Sequence, residues 1–80
     1  MLREKQRARR IEVDWKSVGR RIRDLRTFEM TQEEFARRIG VSQNYLCTME
    51  HGKAGIGAVI LLRICREFGK SLDWLLTGKQ

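Results

Sequence analysis

The sequence predicts an all-α domain of five short helices, and three observations carry that expectation. Apolar residues recur at three- and four-residue intervals in five separate stretches, the period of a helix with one buried face. Asp14, Thr31, Ser42 and Ser71 each stand just before one of these stretches, where a short side-chain oxygen accepts a bond from a free helical N–H. Gly40, Gly52, Gly69 and Gly78 stand just after them, the usual place for a left-handed residue that ends a helix. The 80-residue chain contains no Pro, and no alternating run reads as a strand.

Residues 1–13 ("MLREKQRARRIEV") are rich in charge and poor in apolar periodicity, and read as a basic N-terminal arm or a frayed helix. The domain proper is expected over 14–78. Asp14 opens a first helix at about 15–27, with Trp15, Val18, Ile22 and Leu25 on one face and Lys16, Arg20, Arg21 and Arg23 on the other. Thr31, with Glu34 three residues on, is a capping box for a second helix at about 31–39, apolar at Phe35, Ala36 and Ile39. Gly40 ends it and Val41 plugs the corner. Ser42 starts a third helix at about 42–51, with Tyr45, Leu46 and Met49 inward. "KAGIG" reads as a loop. A fourth helix runs from Ala58 to Phe68 through Leu61, Ile64, Cys65 and Phe68, and "LDWLL" forms a fifth between Ser71 and Gly78.

A chain this short buries a thin core, so tight helix packing, a partner subunit or a bound macromolecule should supplement it. Its net charge is +7 with a pI near 10.3. Residues 1–26 hold ten bases and four acids (+6), whereas 27–80 hold seven and six (+1). A polyanion is the natural partner for such an excess, a solvated basic tail the bland alternative. No apolar run is long enough for a transmembrane helix and no signal-peptide pattern is present, which makes the cytoplasm the expected location. The single His, the lack of a phosphate-binding Gly loop and the absence of metal-ligand spacing speak against an enzyme, a cofactor or a small-molecule ligand. Of two cysteines, Cys65 falls on an apolar stripe and Cys47 on a polar face.

The break between the second and third helices carries most of the functional information. About four residues around Gly40 make a helix-turn-helix corner. On the third helix, Gln43, Asn44, Cys47 and Thr48 fall opposite the apolar face; they are short, neutral and rich in hydrogen-bonding groups, in a chain that otherwise favours charge. Such a face suits base edges: Gln and Asn amides pair bidentately with adenine, and a Thr methyl meets a thymine methyl. The corner would let this helix enter the major groove while its neighbour crosses the backbone.

"TQEEFARRIGVSQNYLCTMEHGK", preceded by "VGRRIRDLR" and followed by "ILLRICREFGKSLDWLLTGK", resembles the phage-repressor/Cro (XRE) helix-turn-helix family from about Val18 to Lys79. The resemblance implies a five-helix, repressor-like DNA-binding domain that reads a palindromic operator as a homodimer. It assigns base reading to Gln43, Asn44 and Thr48. Backbone contact falls to Gln32, Ser42, Tyr45, His51 and Lys53. Some relatives run an N-terminal arm along the DNA, which here would bring Arg9 and Arg10 to the backbone. Arg26 and Glu50 match a structural pair that bridges the first helix to the end of the third. The fifth helix often pairs subunits, and its surplus of bulky apolar groups points to Trp74 and Leu76 as dimer contacts, with Leu72 and Leu75 closing the core.

The sequence departs from the family pattern in three places, one of them the basic arm 1–13, which is not part of the shared core. "TFEM" after Arg26 is one residue short and lacks the customary Gly, and "AGIGA" puts Gly57 where a Ser cap is usual. The rival reading is a protein-interaction module, such as an antitoxin or bridging subunit, but a protein-binding face should show larger apolar anchors than Gln43, Asn44 and Thr48.

Overall fold

Each helix begins and ends for a local reason. The computed structural model describes residues 11–27 and 29–79. It contains α1 (Trp15–Leu25), α2 (Gln32–Ile39), α3 (Gln43–Glu50), α4 (Ala58–Phe68) and α5 (Leu72–Thr77). Thr31, Ser42 and Ser71 each accept a bond from the backbone N–H three residues on, at 3.0, 3.0 and 2.9 Å. Asp14 binds both the amide and the hydroxyl of Ser17. The Ser17 hydroxyl and then its amide hold the Asp14 carboxyl below its usual range. This cap therefore contributes fully above the unfolded carboxyl pKa and is lost only as pH falls through the lower folded value. Among the described helices only α4 lacks a side-chain cap, because Gly57 precedes it.

Helix α1 ends at Leu25, two residues before the expected limit. Arg26 turns to extended backbone at φ −86°, ψ 98°, and its N–H bonds the Arg23 carbonyl. Among the described residues there is no strand, and no helix is long and apolar enough to cross a membrane.

Helix α1 packs against α3 and α5, α2 against α3 and α4, and α4 against α5. Their shared core contains Val18, Ile22, Phe35, Ile39, Leu46, Met49, Ile64 and Leu75, all essentially without solvent contact. Phe35 of α2 stacks on Phe68 of α4 with ring centroids 4.7 Å apart. Ile56, from the segment read as a plain loop, is also buried and pins the α3–α4 connection to the core.

Contacts between backbones set the closest spacings. Gly19 lies so near the end of α3 that a Cβ there would fall 2.5 Å from the carbonyl oxygens of both Met49 and Glu50. A Cβ on Gly52 would meet the Lys16 backbone at the same distance. Two arginines then cap helix ends from across the fold: Arg63 of α4 donates to the Ile39 carbonyl (3.3 Å), and Arg21 of α1 to the Leu75 carbonyl (2.9 Å). Arg21 thus serves the interior rather than the solvated basic face on which its spacing had put it.

The fifth helix corrects a sequence expectation. Leu75 is buried as anticipated, but Trp74 and Leu76 are half-buried against the core while Leu72 remains 49% exposed. With Leu75 aimed at the core, its immediate neighbours sit ~100° to either side and are each partly covered. Leu72, in the first turn, overhangs α4 and stays open. The surplus apolar group is therefore Leu72.

Replacing Gly19 by Ala should force α1 and α3 apart and lower the unfolding free energy by about 1–3 kcal/mol in urea titrations. Gly57 has open space around it and dihedrals close to those of Ser42. Gly57→Ser should therefore gain ~0.3 kcal/mol by supplying the missing cap.

Candidate nucleic-acid interface

Helix α2 stops because Gly40 takes φ 77°, ψ 32°, a conformation open to glycine at little cost, and turns its N–H back to the Ala36 and Arg37 carbonyls. The Val41 N–H also returns to Ala36 (3.0 Å). Val41 packs half-buried against the core, and Ser42 starts α3 at once. The corner is thus Gly40-Val41-Ser42, and it fixes α3 by its own end contacts. Leu46, Met49 and Glu50 turn inward. Gln43 and Asn44 are exposed, Tyr45, Cys47 and Thr48 half-buried, and Ser42, His51 and Lys53 exposed.

A chain of hydrogen bonds runs from this outer face to the interior. Glu50 is 8% exposed, and Arg26 grips its carboxylate with two bonds, Nε to Oε2 at 3.0 Å and Nη2 to Oε1 at 2.8 Å. Gln32, the first residue of α2, donates Nε2 to Glu50 Oε1 at 3.1 Å, and its own Oε1 accepts from Gln43 Nε2 at 3.3 Å. An amide has one carbonyl and two N–H groups. Gln43 therefore keeps its carbonyl and one N–H free, an acceptor and a donor of the kind that an adenine edge takes. Gln32 keeps one N–H, enough for one phosphate oxygen.

The remaining side chains on this face are held locally. The Thr48 hydroxyl donates to the Asn44 carbonyl (3.2 Å), which fixes its rotamer. His51 Nδ1 lies 2.8 Å from the Cys47 carbonyl; that oxygen only accepts, so Nδ1 donates to it. The Cys47 thiol is 3.6 Å from the same ring nitrogen. Cys65, by contrast, is buried at 8% exposure, and desolvation pushes its thiol pKa up, which keeps it an inert core residue. No group of three or more metal-ligating side chains occurs among the described residues.

The only charged residue within α3 is Glu50, and it is turned inward against Arg26. Positive charge comes instead from the helix end. Lys53 follows α3 directly and is exposed, and Lys16 of α1 packs its backbone on Gly52, which brings a second exposed lysine to the same place. Sequence reading assigned Lys16 to a general basic face; its place beside Gly52 depends on a contact across the fold that no local pattern shows. Arg9 and Arg10, expected along the DNA backbone, lie outside the described residues. Trp74 and Leu76, expected at a dimer contact, belong to α5, which packs on α1 and α4.

Two capped helices joined at a glycine corner, the second presenting a neutral amide face, form a helix-turn-helix, the domain class of DNA-binding transcription regulators. The family model described as "Helix-turn-helix domain" matches residues 19–80, and the chain belongs to that family, in its XRE type.

Similar solved structures include the P22 c2 repressor bound to a synthetic operator, at 27% identity and a TM-score of 0.71 over 78% of this chain and 96% of that one. The restriction-modification controller C.AhdI of Aeromonas hydrophila superposes at 26% identity and a TM-score of 0.68, over 79% and 93%. Among curated proteins, antitoxin PezA of Streptococcus pneumoniae is 38% identical over 55 residues, which span 68% of this chain and 35% of the antitoxin. A propionyl-CoA carboxylase regulator of Cereibacter sphaeroides is 36% identical over 63 residues, 78% of this chain and 14% of the regulator. The chain thus spans about a third or less of these curated relatives.

Arg26→Ala would leave the Glu50 carboxylate buried with only Gln32 as side-chain partner. It should cost about 3 kcal/mol in chemical denaturation, part of which Glu50→Gln in the same background should restore.

Proposed function

We propose that this chain is a sequence-specific, double-stranded-DNA-binding transcription regulator that acts as a repressor where its site overlaps a promoter. The observation that carries the reading is the tethered amide of Gln43: its bond to Gln32 leaves its carbonyl and one N–H unused, on the exposed, uncharged face at the start of α3. Gln43, Asn44 and Thr48 read base edges in the major groove. Gln32, Ser42, Tyr45, His51 and Lys53 meet the sugar–phosphate backbone, joined by Lys16, with Arg9 and Arg10 following it from the arm. Two copies bind an inverted repeat with half-sites about one DNA turn, ~34 Å, apart. A regulator of this kind works beside the chromosome, in the cytoplasm.

The likeness to antitoxin PezA favours a second reading, in which this domain is the DNA-binding part of an antitoxin-like protein. Because the match covers 35% of that antitoxin, it bears on the domain and not on what the rest of such a protein does.

The test is selection of bound duplexes from a random library near physiological salt. An enriched inverted repeat is the expected result; binding without an enriched motif would overturn base reading. On the enriched duplex, Gln43→Ala and Asn44→Ala should each cost about 1–3 kcal/mol while sparing random DNA. Lys53→Ala should weaken binding to both and lower the slope of log affinity against log salt by about one. Removal of residues 1–13 should weaken binding to every sequence and flatten the salt slope further.

A further inference from the structure

Trp15 opens α1, and its indole is partly buried against the core. The same ring also lies beside the turn that leaves α3. A Cβ built on Gly55 would fall 3.3 Å from Cε2 and Cζ2 of the indole and 3.4 Å from Nε1. A side chain at position 55 would crowd the ring, so glycine lets the turn rest directly on it.

The rest of this turn is held from other sides. The Lys53 N–H donates to the Thr48 carbonyl at 3.2 Å, the Gly52 backbone meets that of Lys16, and Ile56 is buried. Trp15 covers the stretch left between Lys53 and Ile56. Lys16 and Lys53 are both exposed, and neither is in an ion pair among the described residues. The two free cations therefore stand on one unit, made of the first turn of α1 and the turn after α3.

We infer that Trp15 is a positioning residue for phosphate contact: its indole fixes the turn against α1, so that Lys16 and Lys53 meet the DNA backbone at a set spacing. The inference rests on the DNA-binding reading above and adds to it a residue that acts through the two lysines. Lysine is a flexible point charge, so its gain on meeting a phosphate depends on how firmly the backbone beneath it is held. A turn free to shift would spread that charge over many positions, and each binding event would have to order it. Beneath the indole that ordering is completed on folding. Gln43 and Asn44 stand at the opposite end of α3, so the effect of Trp15 should not depend on DNA sequence.

The test is binding of the full chain to the enriched and the random duplex over a series of salt concentrations. Trp15→Ala removes the ring, and Gly55→Val keeps the ring but forces the turn off it. Gly55 is exposed, so the second variant should fold even where the first does not. Each should bind both duplexes about three- to tenfold more weakly, with the slope of log affinity against log salt lower by up to about one. In either background Lys53→Ala should cost less than it does in the wild type, because part of what it removes is already lost. Ile64→Val serves as a contrast: it loosens the core, so it should lower thermal stability and leave the slope unchanged.

A variant that is folded by circular dichroism and keeps the wild-type slope overturns the inference and reduces Trp15 to a core residue. Losses that add in full to that of Lys53→Ala do the same, and so does a loss confined to the enriched duplex. In each of those outcomes the DNA-binding reading stands. A wild-type chain that binds neither duplex would instead sink that reading, and this inference with it.

Discussion

The Glu50 carboxylate is buried at the meeting point of three helices, and its partners come from each side: Arg26 at the end of α1 and Gln32 at the start of α2. A carboxylate in such a place is costly unless its oxygens are occupied. Here the three donors satisfy it, and in doing so they tie the end of α3 to the start of α2. Gln32 passes that constraint outward, because the amide that binds Glu50 also positions Gln43. The same carboxylate thus locks the relative placement of α1, α2 and α3 and positions the exposed Gln43 at the start of α3. The backbone contact between Gly19 and the Met49 and Glu50 carbonyls holds the arrangement from the other side.

What could be read from the sequence follows the range of the interactions involved. Thr31, Ser42 and Ser71 act on the N–H three residues away, and Gly40 on carbonyls three and four residues back, so the helix starts and the corner were legible residue by residue. The polar face of α3 was legible for the same reason, as helical period alone separates Gln43 and Asn44 from Leu46 and Met49. The rest depends on contacts across the fold. Nothing local distinguishes Gly19, whose missing Cβ matters only because α3 lies against it. Ile56 sits in a run of small residues and reads as loop. Arg21 shares a surface pattern with Arg20 and Arg23, yet its guanidinium closes α5. The error over Leu72 has the same origin, since a helical wheel gives direction but not how far the core extends beneath the first turn.

The arginines also qualify what net charge implies. Arg26 is bound to Glu50, Arg21 and Arg63 are committed to helix ends, and Arg38 is shared between Glu34 and Glu67. The seventeen Lys and Arg therefore overstate the number of cations free to meet phosphates, since these four are committed within the fold. The lysines differ: Lys16 and Lys53 are exposed at the end of α3, where the backbone contact at Gly52 gathers them. Arginine's planar fork suits fixed internal bonds, and lysine's compact, hydrated charge suits a mobile surface contact.

Asn44 and Thr48 have a further property. Apart from the hydroxyl of Thr48, which bonds the carbonyl one turn back, their side chains have no duty toward the core. Gln43 is different, tied through Gln32 to the buried carboxylate. A lineage that carries this scaffold can therefore change its target sequence in unequal steps. With base reading as proposed, exchanges at positions 44 and 48 would retune what is read while the protein folds as before, whereas an exchange at 43 would also disturb the partner at 32. Drift in the favoured site should accordingly begin at the outer two positions, with paired change at 32 and 43 marking the deeper divergences.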